Sequence, residues 1–243
     1  MSSDILAFTT IRQGSPTNLI EMTRAMVALD TMKQLQAENI ACLVVYKDCD
    51  DVYLRQLQAF GATLVPEIDS GMGAARRQAL REVISYGGPE THLLWLEPEK
   101  PGMARYATSL HQCMVRGRAK LGLFNRTAFS MLSYPAEQSH YYQFCRAVAS
   151  ALTGFDVDYA FGPMMLHLDA TESFLAYTGQ YGDLWDSILV PRIPFLKRHE
   201  AVTLDVDFEN DPRMTQIESG NTTLIMKRLR QFNNVIPSLI EAW

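Results

Sequence analysis

The stretch Leu93-Leu94-Trp95-Leu96-Glu97-Pro98-Glu99-Lys100 decides how this chain is read. Its first half is short, apolar and continuous, the pattern of a strand covered on both faces of a parallel sheet. Two carboxylates one residue apart follow directly. In an extended segment residues i and i+2 point to the same side, so Glu97 and Glu99 can face one ion. Pro98 removes a backbone donor and fixes one φ angle, which stiffens that presentation. Lys100 adds a cation that can meet a phosphate. Carboxylate oxygens are hard ligands suited to Mg²⁺ or Mn²⁺ carrying a diphosphate, and the carboxyl ends of strands are where open α/β sheets bind ligands. The same four residues also suit a solvated surface turn.

Upstream, strand and helix alternate. The pattern predicts strands at Ile5–Thr9, Ile40–Tyr46, Thr63–Pro66 and His92–Leu96. Helices are expected at Leu19–Glu38, at Val52–Phe60 with Gly61 as its stop, and at Gly73–Ser85. This spacing argues for a parallel sheet built from right-handed crossovers. Downstream the pattern is less regular. A strand is expected at Lys120–Phe124, a helix at Gln138–Thr153, and an apolar stretch inside Asp158–Leu168 after the break Phe161-Gly162-Pro163. Short helices follow at Thr171–Thr178 and Leu184–Ile193, then a terminal helix at Thr222–Trp243. With no repeat, low-complexity tract or linker, the chain reads as one α/β domain, a mostly parallel sheet flanked by helices on both faces. Residues 1–105 form its first half and 106–243 its second.

Bulk properties exclude several classes. The net charge of −5 gives no global attraction to nucleic acid or anionic lipid. No window approaches the roughly 20 apolar residues of a membrane helix, and the first residues lack the basic region of a signal peptide. Cys42, Cys49, Cys113 and Cys145 contain no C-x-x-C pair and read as reduced thiols of a cytoplasmic protein. Lys227-Arg228-Leu229-Arg230 reads as a solvated helix face. The apolar run Val235–Trp243 is a candidate packing or homodimer surface.

Other strand ends also carry polar groups. Thr9 and Thr10 follow the first strand, and Asp48, Asp50 and Asp51 follow the second; the aspartates suit a ligand or the cap of the next helix. Before the third helix stands Gly71-Met72-Gly73-Ala74-Ala75-Arg76-Arg77, where glycines allow close backbone approach and a helix N-terminus favours anions. A plain helix start with surface arginines is the alternative. Neither a dinucleotide fingerprint nor a P-loop is present.

The order of these segments resembles the GT-A fold glycosyltransferases, most closely the family-2 type. There the third helix reads close to Gly-x-Ala-x-Ala-Arg-Asn and the fourth strand ends in Asp-x-Asp. Here glutamate replaces both aspartates. The resemblance covers about residues 4–105. It implies a Rossmann-like GT-A domain that moves a sugar from a nucleotide-diphosphate sugar to a hydroxyl-bearing acceptor. It places nucleotide contacts on Thr9, Thr10, Asp48, Arg76 and Lys100, and Mg²⁺ or Mn²⁺ on Glu97 and Glu99. A late histidine often completes the metal site in such enzymes, and His199 stands near that position. It also implies a catalytic carboxylate in the second half, for which Asp183 and Asp186 in Tyr181-Gly182-Asp183-Leu184-Trp185-Asp186 are the candidates. Asp183 equally suits a helix cap. Asp156 and Asp158 form a second i, i+2 pair. Two other readings are a non-catalytic scaffold on the same fold and a nucleotidyltransferase, although Thr9–Ser15 lacks the Gly-rich basic loop the latter needs.

Overall fold

The computed structural model describes residues 4–15 and 17–243. Strands β1 (Ile5–Arg12), β2 (Ala41–Lys47), β3 (Ala62–Pro66), β4 (His92–Trp95), β5 (Leu121–Arg126), β6 (Met164–His167) and β7 (Ala201–Val206) form one sheet. Their order is β3-β2-β1-β4-β6-β5-β7. β6 runs antiparallel between β4 and β5, and every other pairing is parallel.

All four residues of β4 and all six of β5 are buried, which explains their continuous apolar runs. Alternation along β1 divides the core. Ile5, Ala7 and Ile11 join Ala28, Met32 and Leu35 of helix α1 (Leu19–Ala37) on one face. Phe8 joins Trp95 and the buried Ala79, Leu80 and Val83 of α3 (Met72–Ile84) on the other. Helix α2 (Asp51–Ala59) lies between β2 and β3, and α4 (Ala107–Gly117) follows a 3₁₀ turn at Pro101–Tyr106. Then come α5 (Ala128–Leu132), α6 (Ala136–Thr153), α7 (Thr171–Leu175), α8 (Asp186–Leu189), α9 (Ile193–Lys197), α10 (Pro212–Glu218) and α11 (Thr222–Ala242).

The chain leaves β1 toward β2 and β3, then returns to lay β4 on the other side of β1. The carboxyl ends of β1 and β4 therefore flank a topological switch point, where such sheets open a crevice.

Four elements differ from the sequence expectation by their presence: α4, α5, β7 and α10. β7 is an edge strand with only Val206 buried, so its hydrophobic signal is weak. The segment Leu184–Ile193 is two helical pieces joined by a 3₁₀ turn that holds Pro191, not one helix. Val235 and Leu239 of the C-terminal run pack into this chain's own core, while Ile240 is exposed. Among the described residues no helix is long and apolar enough to cross a membrane.

Candidate active site

Four threonine and asparagine side chains set up the crevice. The Thr9 hydroxyl, fully buried, donates to the Leu96 carbonyl at 2.7 Å. The buried Thr31 of α1 donates to the Pro98 carbonyl. Together they clamp the Glu97–Lys100 loop to β1 and α1. Asn18 and Asn221 cap α1 and α11 through their side chains and fix where those helices start.

The crevice is a cleft of about 320 Å³, within the range of small-molecule sites. Thr10 and Arg12 line it from β1, Arg24 from α1, Met72 and Arg76 from α3, Glu97 and Glu99 from the loop after β4, and Lys227 from α11. Trp95 and Trp185 supply aromatic surface. A polar side chamber of about 90 Å³ continues from it and shares Arg24, Glu97, Glu99, Trp185 and Lys227. Lys100, Glu218 and Arg228 complete the charged lining of that chamber.

Glu97 and Glu99 both face this space, each with a cation beside it. Lys100 Nζ is 3.9 Å from Glu97, and Arg24 Nε is 3.8 Å from Glu99. Lys100 is buried against the rings of Tyr134 and Phe208 at 5.5 and 5.7 Å. Burial opposes its charge, but Tyr134 and Glu97 outweigh burial and hold the ammonium above the ordinary lysine value. Burial pushes Arg76 down to about 10, against the pull of Glu97, Asp186 and Asp183. Its Nη1 donates to the Leu184 carbonyl at 2.7 Å and to Ser187 at 2.9 Å, and its guanidinium lies 5.6 Å from the Trp95 ring centre. Its Nε has no hydrogen-bond partner.

The remaining expected site residues take other places. Thr9 is a loop anchor, its hydroxyl committed to Leu96 and closed to a nucleotide. Asp48 pairs with Arg12 at 3.1 Å at the exposed rim. Asp186 is fully buried, and its carboxylate accepts from Tyr177, Asp183 N, Leu184 N and Asn234. With four donors on two oxygens it builds the loop and has no lone pair free to act as a base. Asp183 forms a bidentate pair with Arg77 at 2.6 and 2.8 Å. Its carbonyl accepts from Gly73 N at 3.0 Å, which closes the start of α3 that the sequence offered to an anion. Gly73 leaves no room for a Cβ beside the Asp183 carboxylate, so that glycine serves helix–loop packing. His199 follows α9 and precedes β7, at the amino-terminal edge of the sheet, with its ring 5.2 Å from Phe155. Glu97 and Glu99 follow β4 at the carboxyl edge, so His199 is not in their site. Asp156 and Asp158 are taken by Arg146 and Arg126.

Three cationic side chains were missed. Arg24 stands in a regular amphipathic helix with no motif around it, and the sequence of Lys227 and Arg228 is that of a solvated helix face. α11 turns that face onto the mouth of the crevice, which only the tertiary fold reveals. Burial first, then Arg24 and Arg228, push Lys227 down to about 8. Arg24 Nε is buried without a hydrogen bond.

No protein-family model matches the chain, and no curated protein matches it in sequence. Solved structures match it in fold. Glucosyl-3-phosphoglycerate synthase of Mycobacterium tuberculosis superposes over 98% of this chain and 80% of its own, with TM-score 0.63 and 12% identity. A complex of that enzyme with Mn²⁺, uridine diphosphate and glucosyl-3-phosphoglycerate matches over 98% and 79%, with TM-score 0.59 and 11% identity. Mannosyl-3-phosphoglycerate synthase of Rubrobacter xylanophilus matches over 94% and 74%, with TM-score 0.52 and 16% identity. At these identities the likeness shows the fold. This chain has the GT-A-like fold of nucleotide-diphospho-sugar transferases.

Proposed function

We propose that this protein is a glycosyltransferase that moves a hexose from a nucleotide-diphosphate donor to a hydroxyl of an acceptor. One observation carries the reading: a nucleotide-sized cleft at the β1/β4 switch point, with Glu97 and Glu99 on one wall and Arg24, Arg76 and Lys227 around it. The GT-A-like fold and the glucosyl and mannosyl transfer named for its structural neighbours support the same assignment.

In that transfer the bond between C1 of the sugar and the diphosphate oxygen breaks, and its electron pair stays with the phosphate. A bond forms between C1 and the acceptor oxygen, and the hydroxyl proton leaves. Negative charge grows on the departing diphosphate, so fixed positive groups that face it stabilise the transition state. Arg76, anchored by Leu184 and Ser187, is one such group. Trp185 offers an apolar face to a sugar ring, and the side chamber beyond it receives the acceptor. Its Lys100, Gln138, Tyr142 and Arg228 suit an acceptor that carries an acid group, as the glucosyl-3-phosphoglycerate in the neighbour's complex does.

The expected Mg²⁺ or Mn²⁺ fits these residues poorly. Glu97 and Glu99 are two donors, His199 is on the other edge of the sheet, and among the described residues no three His, Cys, Asp or Glu side chains are grouped to hold a metal ion. A cation stands within 4 Å of each glutamate.

A thermal-shift panel of UDP-, GDP-, ADP- and TDP-sugars tests the assignment. One nucleotide should raise Tm with concentration, and Arg76→Met should abolish the rise. No shift with any of them would favour a non-catalytic scaffold.

A further inference from the structure

We propose that Lys227 and Arg24 take the charge-neutralising place of a divalent ion on the donor diphosphate, and that Glu99 serves to hold Arg24 at the cleft wall as Glu97 holds Lys100. This rests on the nucleotide-sugar reading of the cleft and extends it to how the diphosphate is held.

Three observations converge. The first is the charge of the lining. The cleft and its side chamber present six basic side chains (Arg12, Arg24, Arg76, Lys100, Lys227, Arg228) against four carboxylates (Glu21, Glu97, Glu99, Glu218). The whole chain has a net charge of −5, so this excess of positive charge is local to the crevice. A diphosphate ester brings about two negative charges into that excess. A cleft built to carry its charge on a resident divalent ion has the opposite need, a surplus of carboxylates with their oxygens free.

The second is unused donor capacity. Arg24 reaches Glu99 and Glu218 at 3.8 and 3.6 Å, beyond hydrogen-bond distance, and its buried Nε has no partner. The buried Arg76 Nε has none either. Lys227 makes no hydrogen bond or ion pair among the described residues, although it lines both cavities. Buried donors are ordinarily satisfied. The two arginine Nε donors left open around one cleft, with the half-buried Lys227 beside them, fit an anionic ligand whose oxygens complete them.

The third is the position of the glutamates. Glu99 lies 3.8 Å from Arg24 and close enough to Lys227 to favour its charge, and Glu97 lies beside Lys100, with Arg192 and Arg76 close enough to feel its charge. Each carboxylate is thus set to keep cations at the cleft wall. Lys227 and Arg24 come from α11 and α1, and Arg76 from α3, so the cations that line the cleft stand on three separate helices.

Calorimetric titration with UDP and GDP, in EDTA and in Mn²⁺, tests this. The expected result is binding in EDTA within threefold of that in Mn²⁺, weakened at least tenfold by Lys227→Met and restored by Lys227→Arg. The rescue by arginine separates charge from a folding defect, which circular dichroism of both variants checks. Binding that needs Mn²⁺ and is unmoved by Lys227→Met would overturn this inference and leave the transferase reading standing. Absence of binding in both buffers would overturn both.

Discussion

Gly162 lies against the carboxylate of Glu97 with no room for a Cβ between them. The turn that carries this glycine is held from behind by Arg192, a fully buried residue whose guanidinium donates to the Phe161 carbonyl at 2.9 Å and to the Gly162 carbonyl. The wall against which the Glu97 carboxylate rests is therefore held in place.

Gly162→Ala tests that wall. The new methyl meets the far end of a flexible side chain, so Glu97 rotates away and the fold tolerates the change. The expected loss of stability is below about 1 kcal/mol, a shift in Tm of a few degrees at most. Nucleotide affinity should fall about tenfold. Scanning calorimetry and titration of the same variant give both numbers. An affinity equal to the parent's would show that Glu97 takes no part in the site.

Arg126 and Asp158 form a second fixed point. Both are fully buried, Nε and Nη2 donate to the carboxylate at 2.7 and 3.0 Å, and the guanidinium carbon lies 3.7 Å from the Tyr142 ring centre. Asp158→Ala strands a buried cation and should cost about 3–5 kcal/mol in urea unfolding. This fastening between β5 and the segment before β6 is why the Asp156/Asp158 pair does not hold a metal.

Asp186 organises the Trp185 loop through Tyr177, Leu184 and Asn234. Asp186→Asn should lower stability by about 1–3 kcal/mol, because an amide cannot accept from all these donors. Any remaining turnover should keep the parent's pH profile. A new pH dependence would instead mark Asp186 as the proton acceptor.

The first half of the fold was legible because β2 and β4 carry continuous buried apolar runs and glycines, Gly61 and Gly71, punctuate the helices. β7 was not, since five of its six residues are only half-buried or exposed at the sheet edge, with no continuous apolar run. Glu97, Glu99 and Arg76 were legible from segment order. Lys227 and Arg228 were not, because a charged helix face looks the same whether it meets water or a cleft. Asp183 and Asp186 were misread for the complementary reason. A carboxylate at a helix start announces hydrogen bonding, and sequence does not say whether a substrate or the loop itself supplies the donors.

Lys227 should make nucleotide binding depend on pH. Its ammonium is pushed down to about 8, from an ordinary 10.5. Between those values the unfolded chain holds the proton and the folded one does not, so this group's contribution to stability rises with pH across that window. Binding moves the other way. A diphosphate is fully ionised above neutrality and prefers the charged lysine, so affinity should fall as pH rises from 7 to 9.5. Titration across that range in Lys227→Arg should give a flatter curve.

The most direct measurement is the structure of the protein with the nucleoside diphosphate that stabilises it best. The account predicts the diphosphate between Arg76 and Lys227, beside Glu97 and Glu99, with its oxygens completing Arg24 Nε. Density for the nucleotide elsewhere, for example in the groove between α1 and α10, or a diphosphate turned away from both glutamates, would contradict it.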